Sequence, residues 1–146
     1  MARIKIITPE KIIFTVKIPV RINDINYGNH LGNDALVGII HEARVQWLQH
    51  LTYSELNIEG VGLIMAALAV EYKKESFYGD ILVINISADE ISRVSFNLYY
   101  SIMNQQGVLI AKAKTEIVCY DYIKNAIAIL PEKFKQILLL KVLIKP

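Results

Sequence analysis

Scarcity is informative in this chain. A single cysteine, Cys119, stands among 146 residues, which excludes an intrachain disulfide and any cysteine-rich metal site. No two of His41, His50 and Cys119 share metal-ligand spacing with a third residue, so no metal is expected. Neither sign of charge is in excess. Sixteen Lys and Arg stand against 14 Asp and Glu, a formal net charge of +2, which offers nucleic acid no broad basic field. The seven glycines and four prolines gather into no linker or low-complexity tract. No repeat is present, and residues 1–146 read as a single domain. No apolar run reaches the ~18 residues of a membrane span. The nearest, ILLLKVLIK at 137–145, carries Lys141 and Lys145 and reads as a packed final helix or strand. The segment MARIKIITPEKIIF lacks the pattern of a secretory signal. With the lone cysteine, that leads us to expect a cytoplasmic protein.

Apolar residues, by contrast, are abundant at 53%, with charged residues at 21%. That balance predicts that some apolar surface is covered by a second copy of the chain, as a homodimer or a homotetramer built as a dimer of dimers. The organisation follows from periodicity. Phe14, Val16 and Ile18 alternate with Thr15 and Lys17, the period of a half-buried strand, and Pro19 predicts an edge or a bend. From about Asp34 to His50 the period lengthens. Leu36, Ile40, Ala43, Trp47 and Leu51 recur at helical spacing, and Ile39 and Leu48 widen the stripe. Asn33 or Asp34 is placed to cap this helix. Its sparse exposed charge predicts cover on more than one side.

The remainder alternates. VGLIMAALAVEYKK reads as a strand, and Gly79-Asp80 as a turn. Leu82, Ile84 and Ile86 predict a second strand, and Val94, Phe96, Leu98, Tyr100 and Ile102 a third. After the NQQG turn, Leu109, Ala111, Ala113, Ile117 and Cys119 share a face opposite Lys112, Lys114 and Glu116. LPEKFKQILLL predicts a terminal helix with Pro131 in its first turn. A strand, a long apolar helix and four strands in meander suggest one α+β solution. It is a hotdog fold, a curled antiparallel sheet of about five strands wrapped around one long central helix. Pairing of sheet edges between two copies would satisfy the exposed strand.

One junction departs from this apolar pattern. NDINYGNHLGNDAL, residues 23–36, places two Asp, four Asn, one His and two Gly where a strand hands over to a helix N-terminus. Unpaired N–H groups and the positive end of the helix dipole meet there, which suits a developing oxyanion. His30 sits in a glycine-flanked loop, and histidine as a residue type, with an unperturbed pKa of about 6.5, is suited to activating water. Asp24 lies two residues before Asn26, on the same side of an extended segment. Asp34 reads first as a cap, and Glu42 as either a catalytic carboxylate or a partner for His41 or Arg44.

These residues also carry a resemblance. RINDINYGNHLGNDALVGIIHEARVQWL resembles the signature of the 4-hydroxybenzoyl-CoA thioesterase group of hotdog acyl-CoA thioesterases, with matches at Arg21, Asp24, His30, Asn33 and Glu42-Ala43-Arg44. VEYKKESFYGDILVI and ISRVSFNLYYSIMNQQGVLIAKAKTEIVCYD match further on, so the likeness covers about residues 14–137. It implies hydrolysis of an acyl-CoA or acyl-carrier-protein thioester to free acid and thiol, with CoA as part of the substrate and no other cofactor. It implies catalytic roles for Asn26, His30, Asp24 and Asn33, and substrate contacts for Asp34, Glu42 and Arg93. Lys73 and Lys74 are further candidates for the CoA phosphates. One position departs: the group's usual catalytic carboxylate falls on Asn26, and an amide is neither nucleophile nor base at neutral pH. Two other readings therefore stay open. A hotdog enoyl-CoA hydratase or dehydratase resembles Asp-x-Asn-x-x-His, although His30 lies one residue too far along. A non-catalytic acyl-thioester binding protein would tolerate the amide.

Overall fold

The computed structural model describes residues 3–140, so residues 141–145 of the apolar C-terminal run lie outside the described residues. The elements are β1 (Phe14–Pro19), one 3-10 turn (Ile22–Asp24), α1 (Asn33–His50), β2 (Gly62–Tyr72), β3 (Ile81–Asp89), β4 (Ser95–Met103), β5 (Leu109–Asp121), β6 (Ala126–Ile127) and α2 (Glu132–Leu138). This is the expected α+β hotdog arrangement. One antiparallel sheet runs in the order β1-β3-β4-β5-β2, with β6 added to β5.

Alternation decides which face is which. Phe14, Val16 and Ile18 of β1, Leu82, Ile84 and Ile86 of β3, and Phe96, Leu98, Tyr100 and Ile102 of β4 all turn into the core. On β5, Ala111, Ala113, Thr115, Ile117 and Cys119 do the same. Burial pushes the Cys119 thiol up to about 11, which keeps it protonated and inert at neutral pH. Against this concave face lies α1, burying Leu36, Ile39, Ile40, Ala43, Arg44, Trp47 and Leu48. Across the end of the core, α2 inserts Phe134, whose ring lies 5.4 Å from Phe96, 5.7 Å from Tyr53 and 5.8 Å from Trp47, centroid to centroid. Aromatic side chains so buried contribute about 1.5–3 kcal/mol each.

The structure departs from the sequence reading at five points. The four later strands are not one meander: β3, β4 and β5 follow one another, but β2 crosses to the far edge and pairs with β5, Gly62 opposite Tyr120. The Leu109 alternation breaks at a bulge, where Ile102 faces Ala111 and Met103 faces Leu109, so Ile110 is buried instead. The residue capping α1 is Gly32, with no side-chain cap bond, rather than Asn33 or Asp34. Pro131 is likewise the residue before α2 rather than in its first turn. Finally, α1 is not covered all round in the single chain. Asn33, Asp34, Gly38, His41 and Glu42 are exposed, because the sheet covers the single face that carries Leu36, Ile40, Ala43 and Trp47.

Ahead of β1, the chain crosses the outer face of the sheet. The Ile6 N–H donates to Glu71 Oε1 on β2 (3.1 Å) and Ser87 Oγ on β3 donates to the Pro9 carbonyl (3.4 Å). Ile13 N–H then reaches the Ile86 carbonyl (2.8 Å). Since β5 and β4 lie between β2 and β3, this strap spans the sheet, with Ile6 and Ile13 buried.

Candidate active site

The polar junction folds into a tight loop that turns back on itself. The Asn26 N–H donates to the His30 carbonyl (2.9 Å) and the Asn29 N–H to the Asn26 carbonyl (3.1 Å). Asn29 takes a left-handed backbone, φ 65°, a conformation that asparagine tolerates. The Asn26 side chain completes the turn: its Oδ1 accepts from the N–H groups of Gly28 (2.8 Å) and His30 (3.5 Å). An amide oxygen so engaged fixes the orientation of the group and leaves Nδ2 as a donor. The Leu31 N–H donates to the Ser76 carbonyl (2.7 Å) and ties the loop to the β2–β3 connection.

That tie closes one wall of a cleft of about 680 Å³, lined among others by Asn26, His30, Asn33, Asp34, Tyr72 and Glu75. His30 Nε2 lies 3.6 Å from Glu75 Oε1. Tyr72 donates from its hydroxyl to the Asn33 carbonyl (2.9 Å). Burial first, and then the nearby Asp34 carboxylate, raise the Tyr72 pKa, so the phenol remains a donor. The first α-helical bond of α1 runs from the Leu36 N–H to the Gly32 carbonyl. The N–H groups of Asn33, Asp34 and Ala35 therefore have no intrahelical acceptor, the usual condition of a helix N-terminus. Preorganised donors of this kind stabilise negative charge developing on a carbonyl oxygen.

The turn beyond the cleft is braced by Asp80. It accepts from Ser76 Oγ (2.7 Å) and the Phe77 N–H (2.9 Å) through Oδ2, and from Gln105 Nε2 (3.0 Å) through Oδ1. Burial works against its ionisation, but these hydrogen bonds prevail and hold its pKa below the usual carboxylate value. It keeps Ser76, and with it the loop, in place.

The other candidates are more dispersed. Asp24 is buried, and its Oδ2 accepts from the Arg21 N–H (2.8 Å) beside the Arg21 guanidinium (3.5 Å). It lines a second cleft of about 550 Å³ with Asp34, Gly38 and Glu42. Asp34 lines both clefts. Glu42 accepts from Gln46 Nε2 (2.8 Å) and pairs with neither His41 nor Arg44. Those two meet Glu55 instead, at 2.6 and 2.9 Å. Arg93 sits in the β3–β4 connection, at the opposite end of β3 from Ser76 and lining neither cleft. At about 3.3 Å per residue, β3 separates it from the loop by roughly 30 Å. Lys73 and Lys74 line the first cleft, with Lys73 Nζ 2.7 Å from Glu71. Glu75, Ser76 and the Tyr72 hydroxyl fall in the matching stretch VEYKKESFYGDILVI, but the sequence assigns none of them a role. The polar run directly after β2 was the available signal.

A family model described as the thioesterase-like superfamily matches residues 20–138. The acyl-CoA thioester hydrolase YbgC of Escherichia coli is 27% identical over 126 residues, covering 81% of this chain and 94% of that protein. Among solved structures, the 1,4-dihydroxy-2-naphthoyl-CoA thioesterase of Synechocystis aligns with a TM-score of 0.79 at 23% identity, over 86% of this chain and 95% of that one. The DHNA-CoA thioesterase of Staphylococcus aureus aligns with a TM-score of 0.73 at 22% identity, over 84% and 83%. At these identities the structural likeness speaks to the fold.

Proposed function

The chain belongs to the thioesterase-like superfamily and is a thioester hydrolase, and from that premise we propose that it cleaves an acyl-CoA or acyl-carrier-protein thioester in the cleft between residues 26–36 and 72–76. One observation carries this placement. Asn33 and Asp34, whose N–H groups have no intrahelical acceptor, line the same cleft as Asn26 and His30. The thioester carbonyl oxygen points to those N–H groups, which take up the oxyanion. Asn26 Nδ2 and the His30 ring hold the attacking water. Lys73 and Lys74 at the rim meet the phosphates of CoA, and the acyl group lies in the groove beside α1. CoA enters as part of the substrate, and the reaction needs no further cofactor.

The working unit is a homodimer, alone or doubled, in the cytoplasm. The outermost strand, β2, has one free edge, and Met65, Ala66, Ala67 and Leu68 on it are exposed. It carries no charge before Glu71. Pairing with the β2 of a second copy satisfies that edge and covers the apolar side chains.

Thiol release from a panel of aliphatic and aromatic acyl-CoA thioesters tests the proposal. His30→Ala and Asn26→Ala are expected to lower kcat by about 10–100-fold, on the order of what misplacing the attacking water costs. Wild-type turnover unchanged in both variants would place the reaction elsewhere.

A further inference from the structure

The amide at position 26 leaves the reaction without an evident base, and the structure offers a replacement. Asp24 is occupied by the Arg21 N–H and guanidinium and faces the second cleft. Glu75 lines the same cleft, but its carboxylate already has the His30 ring as a partner at 3.6 Å. Asp34 differs from both. Its carboxylate makes no hydrogen bond or ion pair among the described residues, and it caps nothing. It lies on the wall of the cleft that also holds Asn26 and His30.

Two glycines show where that carboxylate sits. A Cβ at Gly32 would fall 2.7 Å from Asp34 Oδ1 and 3.6 Å from the Asn26 Cβ. The Asp34 oxygen thus occupies the space that a side chain at 32 would fill, directly beside Asn26. A Cβ at Gly28 would fall 3.2 Å from His30 Nε2 and 3.3 Å from Asn26 Oδ1. His30 and Asp34 therefore both lie near Asn26, each in room left by a glycine. Gly32 has φ −69° and ψ 147°, a backbone open to any residue. Space for the carboxylate, rather than conformation, is what glycine provides here.

We infer that Asp34, the second residue of α1, is the general base of the hydrolysis, supplying from the helix the carboxylate that position 26 lacks. The inference rests on the thioesterase reading of this cleft. Asp34 takes a proton from the water as the water oxygen bonds to the thioester carbonyl carbon. The tetrahedral adduct then collapses with cleavage of the C–S bond. Asp34 returns its proton to the departing thiolate, and the products are the free acid and the thiol. No oxidant, metal or second substrate enters the balance.

The experiment compares Asp34→Asn, His30→Gln and Gly32→Ala with wild type on the acyl-CoA panel, and measures binding of a nonhydrolysable acyl-CoA thioether. Asp34→Asn is nearly isosteric at an exposed site, and thermal unfolding checks its fold. It is expected to lower kcat about 100-fold or more with analogue affinity within about threefold, because only proton transfer is lost. Gly32→Ala displaces the carboxylate without removing it and is expected to cost about tenfold in kcat. His30→Gln keeps a donor and should lose less than Asp34→Asn. Turnover by Asp34→Asn within about threefold of wild type, in a folded protein, overturns the assignment and leaves the thioesterase reading standing. An inactive wild type across the panel overturns both.

Discussion

Among single residues, Arg44 carries more structural weight than the helix pattern suggested. In the sequence it belongs to the Glu42-Ala43-Arg44 match, and in the structure it is buried in α1. Its Nε donates to Glu55 (2.9 Å), and its Nη1 donates to the Tyr100 hydroxyl (3.3 Å), which in turn meets Thr115 Oγ1 (2.9 Å). Burial works against the Arg44 charge, but Tyr100 and Glu55 together raise its pKa. Burial also opposes ionisation of Glu55, yet the hydrogen bonds from Arg44 and His41 lower its pKa below the ordinary 4.5. A carboxyl depressed in the folded state contributes stability that is complete above its unfolded pKa and is lost as pH falls through the folded one. Glu55→Gln is therefore expected to lose about 2 kcal/mol at pH 7, moderated because Glu55 is partly solvated. It should also flatten the decline of stability below about pH 4.5. Urea unfolding at pH 7, 5 and 3.5 measures both effects. No sequence signal paired Arg44 with Glu55, because the partner lies 11 residues on, beyond the reach of helical spacing.

Among elements, β2 is the one on which assembly turns. Leu68→Lys places a charge on its exposed stretch, opposite no ladder partner but Thr115. If two β2 strands pair, like charges then meet across the junction, and sedimentation should show a shift from dimer toward monomer at micromolar protein. A wild type that sediments as a monomer removes the pairing itself. Elements also mark the limit of what the sequence disclosed. Period-two alternation identified β1, β3 and β4, and the Leu36–Trp47 stripe identified α1, because each is a local relation between neighbours. The position of β2 was not legible: GLIMAALAVEY shows no alternation until its end, and its partner is chosen by register with residues 111–120. The Ile110 bulge and the Gly32 cap escaped for a similar reason, since both answer to surroundings rather than to spacing. Of the site, the loop at 26–33 was visible as an excess of amides. Its second wall, Tyr72 and Glu75, lies in the matching stretch VEYKKESFYGDILVI, but only folding sets it against the loop.

At the scale of the whole molecule, the chain is closed on both sides of its sheet, by α1 on the concave face and by the strap of residues 6–13 on the other. Ile6 is the strap's buried anchor, 4% exposed. Ile6→Ala is expected to cost about 2–4 kcal/mol, read as a lowered urea midpoint, because it removes buried methylenes and leaves a void. Thioester turnover at 25 °C should stay within about threefold of wild type, since Ile6 lines neither cleft and its N–H bond to Glu71 survives the substitution. The strand order has a further consequence. Ile64 must find Val118, so during synthesis the most apolar strand leaves the ribosome well before its mate exists. Distant pairing of this kind slows folding and leaves sticky segments waiting. A nascent chain of this protein should therefore stay prone to association until residue 121 has emerged, and dilute, cool conditions should favour its renaturation.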